Sequence, residues 1–150
     1  MVQTVGANIY DSEFYTMNAD GTGLTQVVGN LAGRMDSPSF SIDGRTILYT
    51  RDVDGYENAS GRQLNAHILM QRLDGTGLVD LSVVPSGSGT NGGKPAGTND
   101  LFPRFSPDGA KIIFVNVNND NQSAPEVWVM DIDGRNRTRL FQNANLPDWK

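Results

Sequence analysis

The chain has no cysteine, a single histidine and fewer basic than acidic residues. Without cysteine there is no disulfide framework and no thiolate metal site, and the redox compartment stays open. One histidine, His67, is too few for the usual zinc ligand sets. Twelve Lys and Arg stand against seventeen Asp and Glu, a formal net charge of −5. That balance argues against nucleic acid, whose phosphates call for a clustered basic face. No stretch approaches the roughly 18 apolar residues of a bilayer span, so no membrane insertion is expected. The start, "MVQTVGANIYDSEF", also lacks the basic-then-apolar order of a signal peptide.

What the chain does have is turn residues, seventeen glycines and seven prolines, and they recur in register. The stretches "FYTMNADGTGLTQV" (14–27), "ILMQRLDGTGLVDL" (68–81) and "VWVMDIDGRNRTRL" (127–140) align without a gap. Each reads as an apolar strand, an Asp-Gly turn and a second short strand, a strong short-range hairpin signal. A different hairpin precedes two of them: "PSFSIDGRTILYT" (38–50) and "PRFSPDGAKIIFV" (103–115) run from a short aromatic strand through Ser-X-Asp-Gly into a β-branched strand. Each full unit therefore has four antiparallel strands, A to D. Pro38 to Pro103 is 65 residues and Pro103 to Pro147 is 44. Four strands at such a period are the mark of a β-propeller blade, so the fold class is all-β.

These stretches resemble the TolB-type propeller repeat, whose hallmark is Pro-X-aromatic, Ser-Pro-Asp-Gly, an aliphatic strand and a Val-Met-Asp-X-Asp-Gly hairpin. The match is close at "FPRFSPDGAKIIFV" and "EVWVMDIDG", and looser where Ile42 replaces the proline and Arg72 the first aspartate. The resemblance covers nearly the whole chain and implies fold more than function. It implies a periplasmic or extracellular setting, and rings commonly of six or more blades. Its members include scaffolds, propeller domains attached to peptidases, and polysaccharide-degrading enzymes.

Counting strands gives the order B-C-D, A-B-C-D, A-B-C-D, A. Blade 1 is expected from residues 1–28 together with 145–150, blade 2 from 36–82 and blade 3 from 101–142, so that the N- and C-terminal strands share one blade. Three blades fall short of the four to eight that typically close a ring. The expected partner is therefore a second copy of the chain, two halves making one six-bladed ring about a two-fold axis. The fourth strand of blade 1 could come from either chain.

Because strand directions alternate, the A–B and C–D turns share one face, where all are tight. The long segments 29–36, 51–66, 83–100 and 116–125 fall on the other. Long loops on a rigid scaffold concentrate recognition residues, which makes Asp36, Asp54, Tyr56, Asp100, Arg104 and Asp120 the candidate binding positions, for a protein or carbohydrate ligand. Phe40, Phe105 and Trp149 in the A strands, and Tyr15 and Trp128 in the C strands, are expected in the core.

Motif chemistry adds little. "SGSGTNGGKP" fails as a phosphate loop, with Ser88 where glycine is needed and Pro95 where Ser or Thr is needed. "RDVDGYE" and "NVNNDNQSAPE" gather oxygen ligands but miss the EF-hand order, leaving an irregular calcium loop or plain turn chemistry. No cofactor is expected. His67 would have to serve any Ser-His-Asp triad, yet no Gly-X-Ser-X-Gly elbow exists. The expected function is a non-enzymatic binding scaffold; the alternative is a piece of a propeller-type polysaccharide lyase or hydrolase, or of a peptidase-associated propeller.

Overall fold

The turns show why the chain folds as it does. In Ser41-Ile-Asp-Gly44 the Ser41 hydroxyl donates to Asp43 Oδ1 at 2.6 Å, the Arg45 amide donates to the same oxygen at 3.0 Å, and Gly44 N donates to Ser41 O at 2.9 Å. Ser106 and Asp108 repeat the set at 2.6 Å, with Ala110 N at 3.0 Å and Gly109 N to Ser106 O at 2.9 Å. In the Asp-Gly hairpins Gly21, Gly75 and Gly134 hold φ of 84°, 83° and 84°, the left-handed conformation that favours glycine. The hydrogen bond from the neighbouring hydroxyl holds the exposed carboxyls of Asp20, Asp43, Asp74 and Asp108 below the usual aspartate range.

The computed structural model describes residues 1–5, 12–29, 33–54, 65–83, 93–120 and 122–149. Among them there is no helix, and eleven strands form three antiparallel sheets. The first sheet runs β1 (Val2–Val5), β2 (Ser12–Thr16), β3 (Thr25–Val28); the second β4 (Met35–Phe40), β5 (Thr46–Asp52), β6 (Ala66–Arg72), β7 (Val79–Asp80). The third runs β8 (Thr98–Phe105), β9 (Lys111–Asn118), β10 (Glu126–Asp131), β11 (Thr138–Gln142). This is a three-blade arc of a β-propeller. Residues 143–149 form no strand, and β1 carries a ladder on one edge only.

Alternation along each strand sends apolar side chains to both faces, because a middle blade has a neighbour on either side. Ile47 and Tyr49 of β5 join Phe14, Val27, Val28, Met35 and Leu69 in the first seam. Leu48 faces the other way and joins Ile68, Leu81, Ile112, Phe114 and Met130 in the second. Phe14 and Tyr49 meet edge to face at 5.5 Å, a favoured aromatic geometry.

The expected aromatic core holds in part. Phe105 and Trp128 are half-buried against the second seam, and Tyr15 and Trp149 are half-buried. Phe40, by contrast, is 41% exposed. Phe105 shares a cleft with Ser41 and Ile42 of the preceding blade's A–B turn. Among the described residues the first sheet, β1 to β3, offers Phe40 no such turn.

The A strands carry a common irregularity. In both β4 and β8 the register shifts by one residue around the proline, and the residue before it, Ser37 or Phe102, sits at φ 56° or 53°. Leu146, before Pro147, has φ 49°. Residues 144–149 are pinned by Ala144 N to Pro125 O at 3.1 Å and Trp149 Nε1 to Arg104 O at 3.4 Å.

Candidate functional site

The end of the second seam where β6 begins holds a dense polar network. β6 begins there with Ala66, whose amide donates to Asn99 Oδ1 of the next blade at 2.8 Å. Its neighbour His67 is held at both ring nitrogens, Nδ1 by Asp80 Oδ2 at 2.7 Å and Nε2 by Asn65 Oδ1 at 3.0 Å. Asn65 in turn donates to Asp54 Oδ2 at 2.9 Å, so Asp54 and Asn65 are clasped together and tied through His67 to β7.

Ser82 links this rim to the interior. Its hydroxyl accepts from Ile68 N at 2.9 Å and donates to Asp100 Oδ2 at 2.6 Å. Asp100 is fully buried and takes Asn116 Nδ2 at 2.8 Å and Arg137 Nη2 at 2.7 Å on both oxygens. The Arg137 guanidinium lies across its own blade, 4.6 Å over the Phe114 ring and 3.5 Å from Met130 Sδ. A buried carboxylate needs this much compensation. Lys94 donates to Thr98 O at 2.7 Å, and burial lowers its amine below the ordinary lysine range.

The six sequence candidates scatter. Asp36, in β4, pairs with Arg34 Nε at 2.9 Å. Asp54 and Asp100 belong to the network just described, one at its exposed rim and one at its buried floor. Arg104 Nη1 donates to Pro103 O at 2.8 Å and reaches Ser37 O of the neighbouring A strand at 3.5 Å. Asp120 caps its turn, accepting from Gln122 N and Ser123 N at 2.9 Å. Tyr56 lies outside the described residues, as do 55–64 and 84–92. Sequence reasoning missed His67 as a polar hinge and missed Ser82, Asn116 and Arg137 altogether. One signal was available: Arg137 stands where the other two hairpins carry Leu24 and Leu78, and Asp100 where blade 2 carries Met35. Two apolar repeat positions thus change together to a charged pair.

The opposite face carries an apolar cleft of about 360 Å³ lined by Ile42, Met70, Phe105 and Ile132. Among the described residues no three His, Asp or Glu side chains gather as a metal-holding group.

No protein-family model matches the chain. A solved TolB structure from Agrobacterium tumefaciens superposes with TM-score 0.69 at 26% identity, over 98% of this chain and 48% of that one. The chain is similar to TolB-type propellers. TolB from Acinetobacter baumannii matches with TM-score 0.63 and 19% identity over 94% of this chain and 29% of that one. A chain of the nidogen/laminin complex matches at 0.59 and 22%, over 94% and 44%; these two likenesses show the propeller fold alone. In sequence, an uncharacterised protein of Agrobacterium fabrum is 28% identical over 148 residues, 91% of this chain and 43% of that protein. The chain thus spans under half the length of these relatives.

Proposed function

We propose that the chain is a non-catalytic binding scaffold, a TolB-like half-propeller that self-associates through the two flanks of its arc. Its polar long-loop edge is offered to a protein or carbohydrate ligand. One contrast carries the self-association. Val27, Leu81 and Leu140 occupy the same repeat position, and they are 9%, 1% and 43% exposed. The first two are covered by the following blade; Leu140 belongs to the last blade and lies open beside Phe141, itself 62% exposed. An apolar position buried at each internal seam and open at the end of the arc suits a further blade.

The non-catalytic part rests on how the network is committed. His67 has a partner at each ring nitrogen, and Ser82 donates its proton to Asp100. A triad would need Ser82 to donate to His67. What the rim offers a ligand is fixed hydrogen-bonding groups, among them Asp54 and Asn65.

Light scattering on a sizing column, over a dilution series, tests the association. The expected species is near twice 16.3 kDa and persists on dilution, and Leu140→Glu with Phe141→Glu returns it to a monomer with an unchanged circular dichroism spectrum. A monomeric parent chain would overturn the self-association.

A further inference from the structure

Within that self-association, we infer that residues Asn145–Trp149 of one copy add as an inner strand along the edge of β1 in the other copy's first blade. The inference rests on the reading above and makes it specific: the two copies exchange a strand.

Three observations converge on this. In the second and third sheets the strand equivalent to β1, β5 or β9, is flanked on its inner side by β4 or β8. Among the described residues β1 pairs with β2 alone, and a strand edge of this kind is the usual template for strand addition. Next, "NLPDW" repeats the Pro-X-aromatic pattern of "DSPSF" and "LFPRF". It also repeats their backbone, since Leu146 at φ 49° matches Ser37 and Phe102 at 56° and 53°. A positive φ is uncommon outside glycine, and its recurrence before the same proline marks the segment as shaped for the inner position although it pairs with no strand. Finally, position excludes its own β1 as the target. Arg104 of β8 reaches back to Ser37 O of β4, and Trp149 reaches back to Arg104 O of β8. The segment therefore continues the inner row one step past blade 3, while β1 lies in the sheet before blade 2, at the other end of the arc. A second copy rotated about the propeller axis brings its β1 to that place, together with the flank that Leu140 and Phe141 await. Each copy gives one strand and receives one.

Repeat equivalence sets the register. Leu101 faces Val115 and Asp100 faces Asn116 in blade 3, which transfers to Asn145 opposite Gln3 and Ala144 opposite Thr4.

The chain's lack of cysteine makes the test clean. Gln3→Cys and Asn145→Cys are made as separate variants, one carrying a removable tag, then mixed and oxidised. The expected product is a mixed disulfide of two chains, in excess on the order of tenfold over a control pairing Asn145→Cys with Thr22→Cys, because strand pairing raises the local concentration of the thiols. Gln3 Nε2 donates to Met35 O at 2.6 Å, so the pair Thr4→Cys and Ala144→Cys serves if the first variant folds poorly. A dimer by light scattering without the mixed disulfide would overturn strand exchange and leave self-association standing. An intrachain disulfide in the double variant would overturn it in favour of closure within one chain. A monomer throughout would overturn both.

Discussion

Arg137 spans its own blade to reach Asp100, with Nη2 at 2.7 Å from both carboxylate oxygens and both residues buried in the second seam. The first seam is held by a neutral hydrogen-bonded link. There the Tyr49 hydroxyl donates to Gln71 Oε1 at 2.9 Å and Gln71 Nε2 donates across the seam to Val27 O at 3.1 Å. Two seams built from one repeat are thus held by different polar chemistry.

Removing one member of the buried pair leaves the other charge uncompensated, and Asp100→Met or Arg137→Leu alone is expected to cost about 3–5 kcal/mol. The double variant restores the residues found at these repeat positions in blade 2, Met35 and Leu78, and should recover the larger part of that loss. The remainder belongs to Asn116 and Ser82, which lose an acceptor. Urea denaturation midpoints of the three variants measure it; equal damage in the single and double variants would contradict the assignment.

Gly21, Gly75 and Gly134 offer a controlled comparison, since their φ values agree within a degree. A Cβ on Gly21 or Gly75 would meet nothing within 4 Å, whereas on Gly134 it would meet Leu81 O at 2.8 Å. Alanine at the first two sites is expected to cost about 1–2 kcal/mol of left-handed strain. At Gly134 the same change must also push blade 3 off blade 2, so its denaturation midpoint should fall clearly below those of the other two variants.

Burial pushes the Tyr49 phenol up to about 12. The unfolded chain ionises near the ordinary tyrosine value of about 10. The neutral phenol is therefore favoured by folding, and its contribution is complete below about pH 10 and lost as pH rises through about 12. Tyr49→Phe leaves Gln71 Oε1 without its donor and should cost about 1–3 kcal/mol at neutral pH. It should also flatten the decline in stability between pH 10 and 12, read from urea midpoints of both proteins at each pH.

The strands and turns were legible in the sequence because the repeat writes their chemistry locally. Ser41 and Asp43, two residues apart, make the bond that their spacing promises, and the three Asp-Gly hairpins align without gaps. The network at the second seam was not legible, since Asp100 and Arg137 lie 37 residues apart and meet only when the sheet is built. Position on a long-loop segment picked out Asp100 but gave no means of telling a rim residue from a buried anchor. Phe40 failed as a core residue for a related reason: burial depends on what the neighbouring blade supplies.

The left-handed residue before each A-strand proline has a bearing on solubility. A bare sheet edge accepts almost any extended chain, and each chain added presents a fresh edge, which is how fibrils grow. Ser37 in β4 and Phe102 in β8 each break the two-residue rhythm of their strand, which disfavours a slipped or foreign segment continuing the ladder past that point. The irregularity works as a stop against indefinite stacking, fitted to the strands nearest the centre of the arc.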